Sequence, residues 1–424
     1  MQYTIQTEVR REKEPVAGQP LSLHRSECYL TSFIRGGLAL EYNGAKERYR
    51  VILEFPGGKP GIVFVIQRAH SSFFRIGTQT AILLLLQAFP GLRAAPYEDP
   101  VPRSRQIQTI GFGSCLRQDL PAPALEAIAR QSPDLFLFLG DNIYADTTSE
   151  SVLREQYNRL AQSEAFQKLS QQSVIHAIWD DHDYGENDAG GDFEFRRTSE
   201  KIFKRFWGVA NSKPYASREG VYAAFLYRTA GQHPQKVQII LMDTRSFRSP
   251  LETRPFWEAW FSDRSGPYVP SDDPDKTMLG EEQWKWLAYQ FSIQADLRIV
   301  VSSIQVLSES DGWESWSTLP LERERLLDLA VGGSSPVLFL SGDRHFAEMS
   351  ALQFKGKTLL DVTSSSLNQF NHFKDESNPL RLGARYSESN YGWIILDDSK
   401  PRLRLQIEIR DAEGKTRIAR EVRF

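Results

Sequence analysis

Five separated segments of this chain end an apolar run with residues able to bind a metal ion or a phosphate. Ile107–Phe112 ends in Gly113-Ser114-Cys115, and Asp134–Leu139 in Gly140-Asp141-Asn142-Ile143-Tyr144-Ala145-Asp146. Ser173–Trp179 ends in Asp180-Asp181-His182-Asp183 with Asn187 shortly after, Val237–Met242 in Asp243-Thr244-Arg245, and Val337–Ser341 in Gly342-Asp343-Arg344-His345. Singly, each has a plain structural reading. A strand-terminal Asp caps a turn, and a lone Cys is a small buried hydrophobe. An acidic run such as Asp180–Glu194, with seven acids and no Lys or Arg in fifteen residues, is usually a solvated loop. A solvated loop has no reason to follow Trp179 and an apolar strand directly, and five such ends together favour one site. Anions so concentrated repel one another unless cations neutralise them, which points to a metal centre. Carboxylates, an amide oxygen and an imidazole suit Ca, Mn, Mg or Zn. Cys115 and Tyr144, ligating as thiolate and phenolate, favour a stronger Lewis acid such as ferric iron. With seven histidines in the chain, two of them in these motifs, a His-rich zinc site is disfavoured.

Elements must bring these ends together. From about residue 105, short apolar runs alternate with helical patterns at Pro123–Gln131 and Val152–Leu169, which implies a layered α/β architecture. In such sheets ligands bind beyond the carboxyl ends of the strands. Arg298–Ser302, Thr358–Val362 and Tyr391–Leu396 read as further strands. Leu403, Leu405, Ile407 and Ile409 alternate strictly with polar residues, and Asp411–Lys415, with Gly414, is a turn returning Thr416–Phe424 as a hairpin partner. Upstream, Tyr49–Phe55 and Gly61–Gln67 flank Pro56-Gly57-Gly58 and Pro60 like a hairpin, and Ala81–Phe89 is a third apolar run. A smaller β-rich domain is expected over 1–103 and the chemistry over 104–424, with Pro96, Pro100 and Pro102 near the boundary.

As a set, FGSC (Phe112–Cys115), GDNIY (Gly140–Tyr144), WDDHDYGEN (Trp179–Asn187), MDTR (Met242–Arg245), MLGEEQWKWL (Met278–Leu287) and GDRH (Gly342–His345) resemble the PhoD-like alkaline phosphatases/phosphodiesterases of the calcineurin-like metallophosphatase superfamily. The resemblance spans residues 107–345 and the C-terminal hairpin. It implies an α/β fold, a layered metallophosphatase-type β-sandwich flanked by helices. It further implies metal-dependent hydrolysis of phosphomonoesters, phosphodiesters or both, by in-line attack of a metal-bridging hydroxide. Carried onto this chain, it makes Asp141 the bridge between two ions, Cys115 and Tyr144 ligands of an Fe3+-type site, Asn187 a ligand of a Ca2+-like site, and Asp343 and His345 the completion of the shell. Mn2+, Mg2+ and Zn2+ are the alternative ions. Asp181 stands where the wider superfamily has a metal-binding Asn before its catalytic His. His182 would contact phosphate or protonate the leaving oxygen. Arg245 and Arg344 are either phosphate contacts or structural ion-pair partners.

The aromatic insert Phe247–Leu279, with Phe256, Trp257, Trp260, Phe261 and Tyr268, is either the local core of a long loop or a lid in which Trp257 and Trp260 grip the substrate; Trp313 and Trp316 would add to that wall. Asn368, Asn371 and His372 are further residues within reach.

Of 51 Lys+Arg and 54 Asp+Glu, residues 1–105 hold 14 and 9, leaving 37 and 45 for the rest. The formal net charge of -3 argues against a dedicated nucleic-acid or membrane surface, no protein partner is indicated, and a small phosphate ester is the expected substrate. Cys28 and Cys115 cannot form a disulfide framework. No apolar segment follows Arg10-Arg11, and Ala81–Phe89 is far short of the ~20 residues of a spanning helix, so a cytoplasmic protein is expected, although PhoD-like proteins are often exported. Gly111-Phe112-Gly113 lacks the third glycine of a dinucleotide fingerprint, and Gly356-Lys357-Thr358 lacks the upstream glycine of a P-loop. Two other classes compete: a non-catalytic phosphate- or nucleotide-binding module on the same scaffold, against which the complete ligand set speaks, and a metallohydrolase acting on amide bonds.

Overall fold

The computed structural model describes residues 98–255, 266–309, 312–370 and 376–423 in full, and the backbone of five strands in the residues before them. The chain divides into two compact units, Met1–Pro96 and Tyr97–Phe424. In the first, β1 (Thr7–Glu8), β2 (Tyr29–Ile34), β3 (Leu38–Asn43), β4 (Arg48–Leu53) and β5 (Ile62–Gln67) form an antiparallel meander. The Pro- and Gly-rich segment between β4 and β5 joins an antiparallel pair, as its composition suggests. Cys28 and Ala81–Phe89 lie outside the described residues.

The second unit starts ahead of residue 104 because Val101–Pro102 (β6) pair with β10 (Ala223–Arg228). Two sheets build it. One runs β7 (Thr109–Gly113), β8 (Leu135–Leu139) and β9 (Val174–Ile178) in parallel. Antiparallel β18 (Asn390–Asp397), β19 (Arg404–Asp411) and β20 (Thr416–Arg423) extend it in the order β20-β19-β18-β7-β8-β9. The other sheet is centred on parallel β11 (Lys236–Leu241), β14 (Leu297–Val301), β15 (Val337–Ser341) and β17 (Lys357–Ser364). β10 and β6 complete one edge and β16 (Ala347–Phe354) the other. A small ladder, β12 (Glu252–Thr253) with β13 (Tyr268–Val269), stands apart.

Period-two alternation divides the interior. Ile239, Leu241, Ile299, Val301, Leu338 and Leu340 join the core that contains Ile110, Phe112 and Leu135–Leu139 of the facing sheet. Their neighbours Ile240, Val300 and Phe339 point into a second core, shared with Trp284, Trp286 and Leu287 of helix Gly280–Ser292 and Leu326 and Leu327 of helix Pro320–Gly332. Helices Pro123–Gln131 and Glu150–Gln162 contribute Leu125, Ile128, Leu153 and Leu160 to the first core. The result is an α/β molecule with a β-sandwich flanked by helices. At about 25 cal/mol per Å2 of apolar surface removed from water, burying such side chains is the main favourable contribution.

One expected helix is two. Val152–Leu169 breaks at Ser163, whose φ of -64° and ψ of 123° are extended and whose Oγ accepts from the Phe166 N–H at 3.5 Å, capping helix Glu164–Gln172. A Ser side chain that can satisfy an orphan N–H competes with helix continuation. Trp316 is likewise placed differently from the expected wall: it is fully buried in the second core, its indole N–H donating to Ser302 Oγ at 3.0 Å.

Candidate metal centre

Parallel strands in both sheets end at one edge, and the ends carry the chemistry. Ser114 and Cys115 follow β7, Asp141 follows β8, Asp180–His182 follow β9, and Asp343–His345 follow β15. The turns are tight. Gly140 has φ +105°, and a Cβ there would meet Asp180 Cβ at 2.6 Å and its backbone nitrogen at 2.9 Å, so only glycine lets β8 and β9 end so close together. Gly342 is as restricted: a Cβ would lie 2.4 Å from Ser114 Oγ and 3.0 Å from the Ser303 carbonyl oxygen.

Three overlapping groups of donor atoms result. One ligand atom each from Cys115, Asp141 and His345 lies within 4.8 Å of the others; so do Asp141, Asp181 and His182, and so do Asp180, Asp181 and Asp343. Asp141 belongs to two groups and Asp181 to two. Tyr144 joins the first: its hydroxyl donates to Asp141 Oδ2 at 3.1 Å and stands 2.8 Å from His345 Nε2. Cys115 Sγ is 3.5 Å from Asp141 Oδ2.

The donor set suits cations. Asp141, Asp180 and Asp181 are buried, and burial, reinforced by neighbouring carboxylates, pushes the Asp141 and Asp343 carboxyls well above their ordinary range. Such crowding is what a bound cation relieves. Buried Asp180 Oδ2 and Asp343 Oδ2 accept no hydrogen bond from the protein, although buried oxygens nearly always find a partner. Burial, with the His182 and Arg344 charges, lowers His345 to about 4, keeping the imidazole neutral, the form that ligates metals. Burial pushes the Cys115 thiol up to about 12, while hydrogen bonds to Ser365 and Ser114 act the other way.

A PhoD-like phosphatase family model matches residues 112–397. The chain belongs to the PhoD-like phosphatase family. A solved structure described as the structure of PhoD is similar with a TM-score of 0.53 at 15% identity, over 91% of this chain and 79% of that one, a likeness of fold. A 5'-nucleotidase precursor from Thermus thermophilus aligns with a TM-score of 0.34 at 15% identity, over 75% of this chain and 54% of that one. No curated protein matches the chain.

Around this PhoD-like centre the remaining expected residues divide. His182 sits at the cluster, stacked on Tyr144 with ring centroids 4.1 Å apart. Burial pulls its pKa down, but the Asp141 charge and a hydrogen bond to Asp146 win and lift it to about 10. Arg245 is fully buried. Its Nε donates to Asp180 Oδ1 at 2.6 Å, and Nη1 and Nη2 donate to Glu314 Oε1 and Oε2 at 2.9 and 2.6 Å. As placed it is the ion-pair partner of the two readings open from sequence. Arg344 is also committed to carboxylates, donating to Glu376 Oε2 at 2.5 Å beside Asp343 at 3.7 Å, with its guanidinium 5.0 Å from the Trp313 ring centroid.

Asn187 is exposed and lines a cleft of about 800 Å3 with Asp188, Phe193, Arg248 and Tyr268. The cleft adjoins the cluster through Asp188, whose N–H donates to Asp181 Oδ2 at 2.7 Å and whose Oδ2 accepts from the Tyr268 hydroxyl at 2.6 Å. Asn368 serves the scaffold, its amide bonding the Arg117 backbone N–H at 2.7 Å and carbonyl at 2.8 Å. Phe256, Trp257, Trp260, Phe261, Asn371 and His372 lie outside the described residues.

Four participants had no assigned role in the sequence. Asp146 Oδ1 pairs with His182 Nδ1 at 2.7 Å. Asp180 contributes a carboxylate to the third group, and Glu314 joins Arg245 to Arg248, 3.0 Å away. Ser365 contacts Cys115. Asp146 and Asp180 stand in the runs that follow apolar segments, so their position was a signal; Glu314 and Ser365 gave none.

Proposed function

We propose that this PhoD-like phosphatase hydrolyses phosphoric esters, monoesters and diesters both, at the cluster of Cys115, Asp141, Tyr144, Asp181, Asp343 and His345, with Asn187 as a further ligand. The observation that carries the reading is the sharing of Asp141 and Asp181 between adjoining donor groups, as a centre of two or more ions requires. Fe3+ suits the thiolate, phenolate and imidazole side, and Ca2+ the carboxylate side. Such ions supply a water-derived nucleophile near neutral pH and neutralise charge on the phosphoryl oxygens.

The protein's own groups do the rest. Asp146, an acceptor when ionised, holds the proton of His182 on Nδ1 and orients the ring, leaving Nε2 to give a proton to the departing oxygen, a role worth about 10²–10⁴ in rate. Tyr144 stacked beneath the imidazole restricts its tilt. Arg245 holds Asp180 and Asp181 in place and favours their ionised forms against the burial that opposes them. Trp257 and Trp260, in the chain between the cleft residues Thr253 and Tyr268, are proposed substrate contacts.

A panel of aryl phosphate monoesters and bis-aryl diesters, assayed with and without chelator, tests the reading. Turnover of both classes, lost on chelation and restored by metal, is expected. Chelator-resistant activity, or phosphate binding without turnover by metal-replete protein, would remove it and leave the binding-module alternative.

A further inference from the structure

We propose that Ser365 is a positioning residue of the centre, its hydroxyl donating to the Cys115 sulfur while its oxygen fixes the backbone that carries His345. The proposal rests on the reading of Cys115 and His345 as metal ligands and adds a residue outside the ligand set. Ser365 is fully buried directly beyond β17. Its Oγ accepts the His345 backbone N–H at 2.9 Å and lies 3.0 Å from Cys115 Sγ. An N–H can only donate, so that contact uses a lone pair and leaves the hydroxyl hydrogen free for the sulfur.

The hydroxyl of neighbouring Ser114 does not compete. Ser114 Oγ is farther from the sulfur, at 3.5 Å, and donates to the Ser364 carbonyl oxygen at 3.3 Å. A thiolate bound to a metal would have no hydrogen to give, which would make Ser365 the donor. The two backbones it joins need such support. Cys115 has φ +59° and His345 φ +58°, a region costly for side-chain-bearing residues that persists only where surroundings impose it. Ser365 touches both, tying the end of β7 to the end of β15 through the end of β17. A hydrogen bond to a ligating sulfur also withdraws electron density from it and tunes the metal.

Reconstitution with Co2+ gives the test, read by the near-ultraviolet thiolate-to-cobalt charge-transfer band and by Co2+ affinity in chelator competition. For Ser365→Ala the band is expected to move to longer wavelength and Co2+ affinity to fall about 10–100-fold. Ser365→Thr, which keeps the hydroxyl, should restore the wild-type band. Ser365→Gly should reproduce the alanine shift, so the result does not hang on one variant's folding. Band position and affinity unchanged in the alanine or glycine variant would overturn the proposal while leaving the ligand reading intact. Wild-type protein that binds Co2+ without any thiolate band would instead overturn Cys115 as a ligand, and the proposal with it.

Discussion

Cys115, Asp141, Asp343 and His345 all hold a positive φ, a conformation that costs a non-glycine residue on the order of 1–3 kcal/mol. Asp146 and Asp188 share it. Strain gathered on the residues that would face the ions, in place of the lower-energy turns available to them, is what preorganised ligand geometry looks like at this scale. The motifs holding these residues were legible because each is a contiguous run at a strand end. Ser365, 250 positions from Cys115, stands in no such run, and although Asp146 does, its pairing with His182, 36 positions away, was not readable from either run. For the His182–Asp146 pair, His182→Ala should lower kcat about 10²–10⁴-fold on alkyl esters, and much less on esters of acidic phenols, whose leaving groups need no proton; Asp146→Asn should follow the same pattern more weakly. An equal loss on both substrate types would exclude a proton-donor role.

A second residue-scale prediction concerns stability. His176, buried on β9, stacks on Phe225 at 3.7 Å between centroids and shares a hydrogen bond of 2.7 Å with Tyr227 Oη. Burial, with the Arg103 charge, lowers its pKa to about 3, against about 6.5 in the unfolded chain. Below pH 6.5 the unfolded state therefore binds a proton that the folded state refuses, so stability falls as the pH drops from about 6.5 toward about 3. At pH 5 the loss from this group is about 2 kcal/mol. Urea unfolding at pH 7 and pH 5 should show a smaller acid loss for His176→Gln than for wild type, and an identical loss would refute the assignment.

Between elements, the centre depends on how closely strand ends approach and on what ties their loops together. Gly140→Ala must push Asp180 away from Asp141, an overpacking that typically costs about 1–3 kcal/mol, and should lower metal content even where the protein still folds. Glu314 binds Arg245 and Arg248 at once, linking the loop after β14 to the loop after β11. Its replacement by Gln leaves Asp180 as the close carboxylate of buried Arg245 and removes the carboxylate 3.0 Å from buried Arg248, and should cost about 3–5 kcal/mol in urea unfolding; a loss under about 1 kcal/mol would show that the network contributes little. Strand positions at this level followed from apolar runs and turn residues, and the C-terminal hairpin from strict alternation. The break at Ser163 and the burial of Trp316 did not, because a cap and a core contact depend on how neighbours pack around them.

At the scale of the whole molecule, net charge of -3 conceals an acid-rich second unit whose buried carboxylates converge on one edge. The family match ends at residue 397, yet β19 and β20 beyond it complete the six-stranded sheet, so the hairpin belongs to the same fold. Among the described residues no helix is long and apolar enough to cross a membrane. Because the ions would bind the assembled edge and not the unfolded chain, metal should stabilise the fold by mass action, about 2.7 kcal/mol at a hundredfold excess over Kd, visible as a lower Tm after chelation. The proposed hydrolysis at a centre bridged by Asp141 is checked by measuring metal content and phosphoester turnover together in wild type and Asp141→Asn. At least two equivalents of metal per wild-type chain are expected, and a variant that folds, loses metal and loses turnover in parallel; a metal-poor variant that hydrolyses aryl phosphates at the wild-type rate would contradict a bridging Asp141.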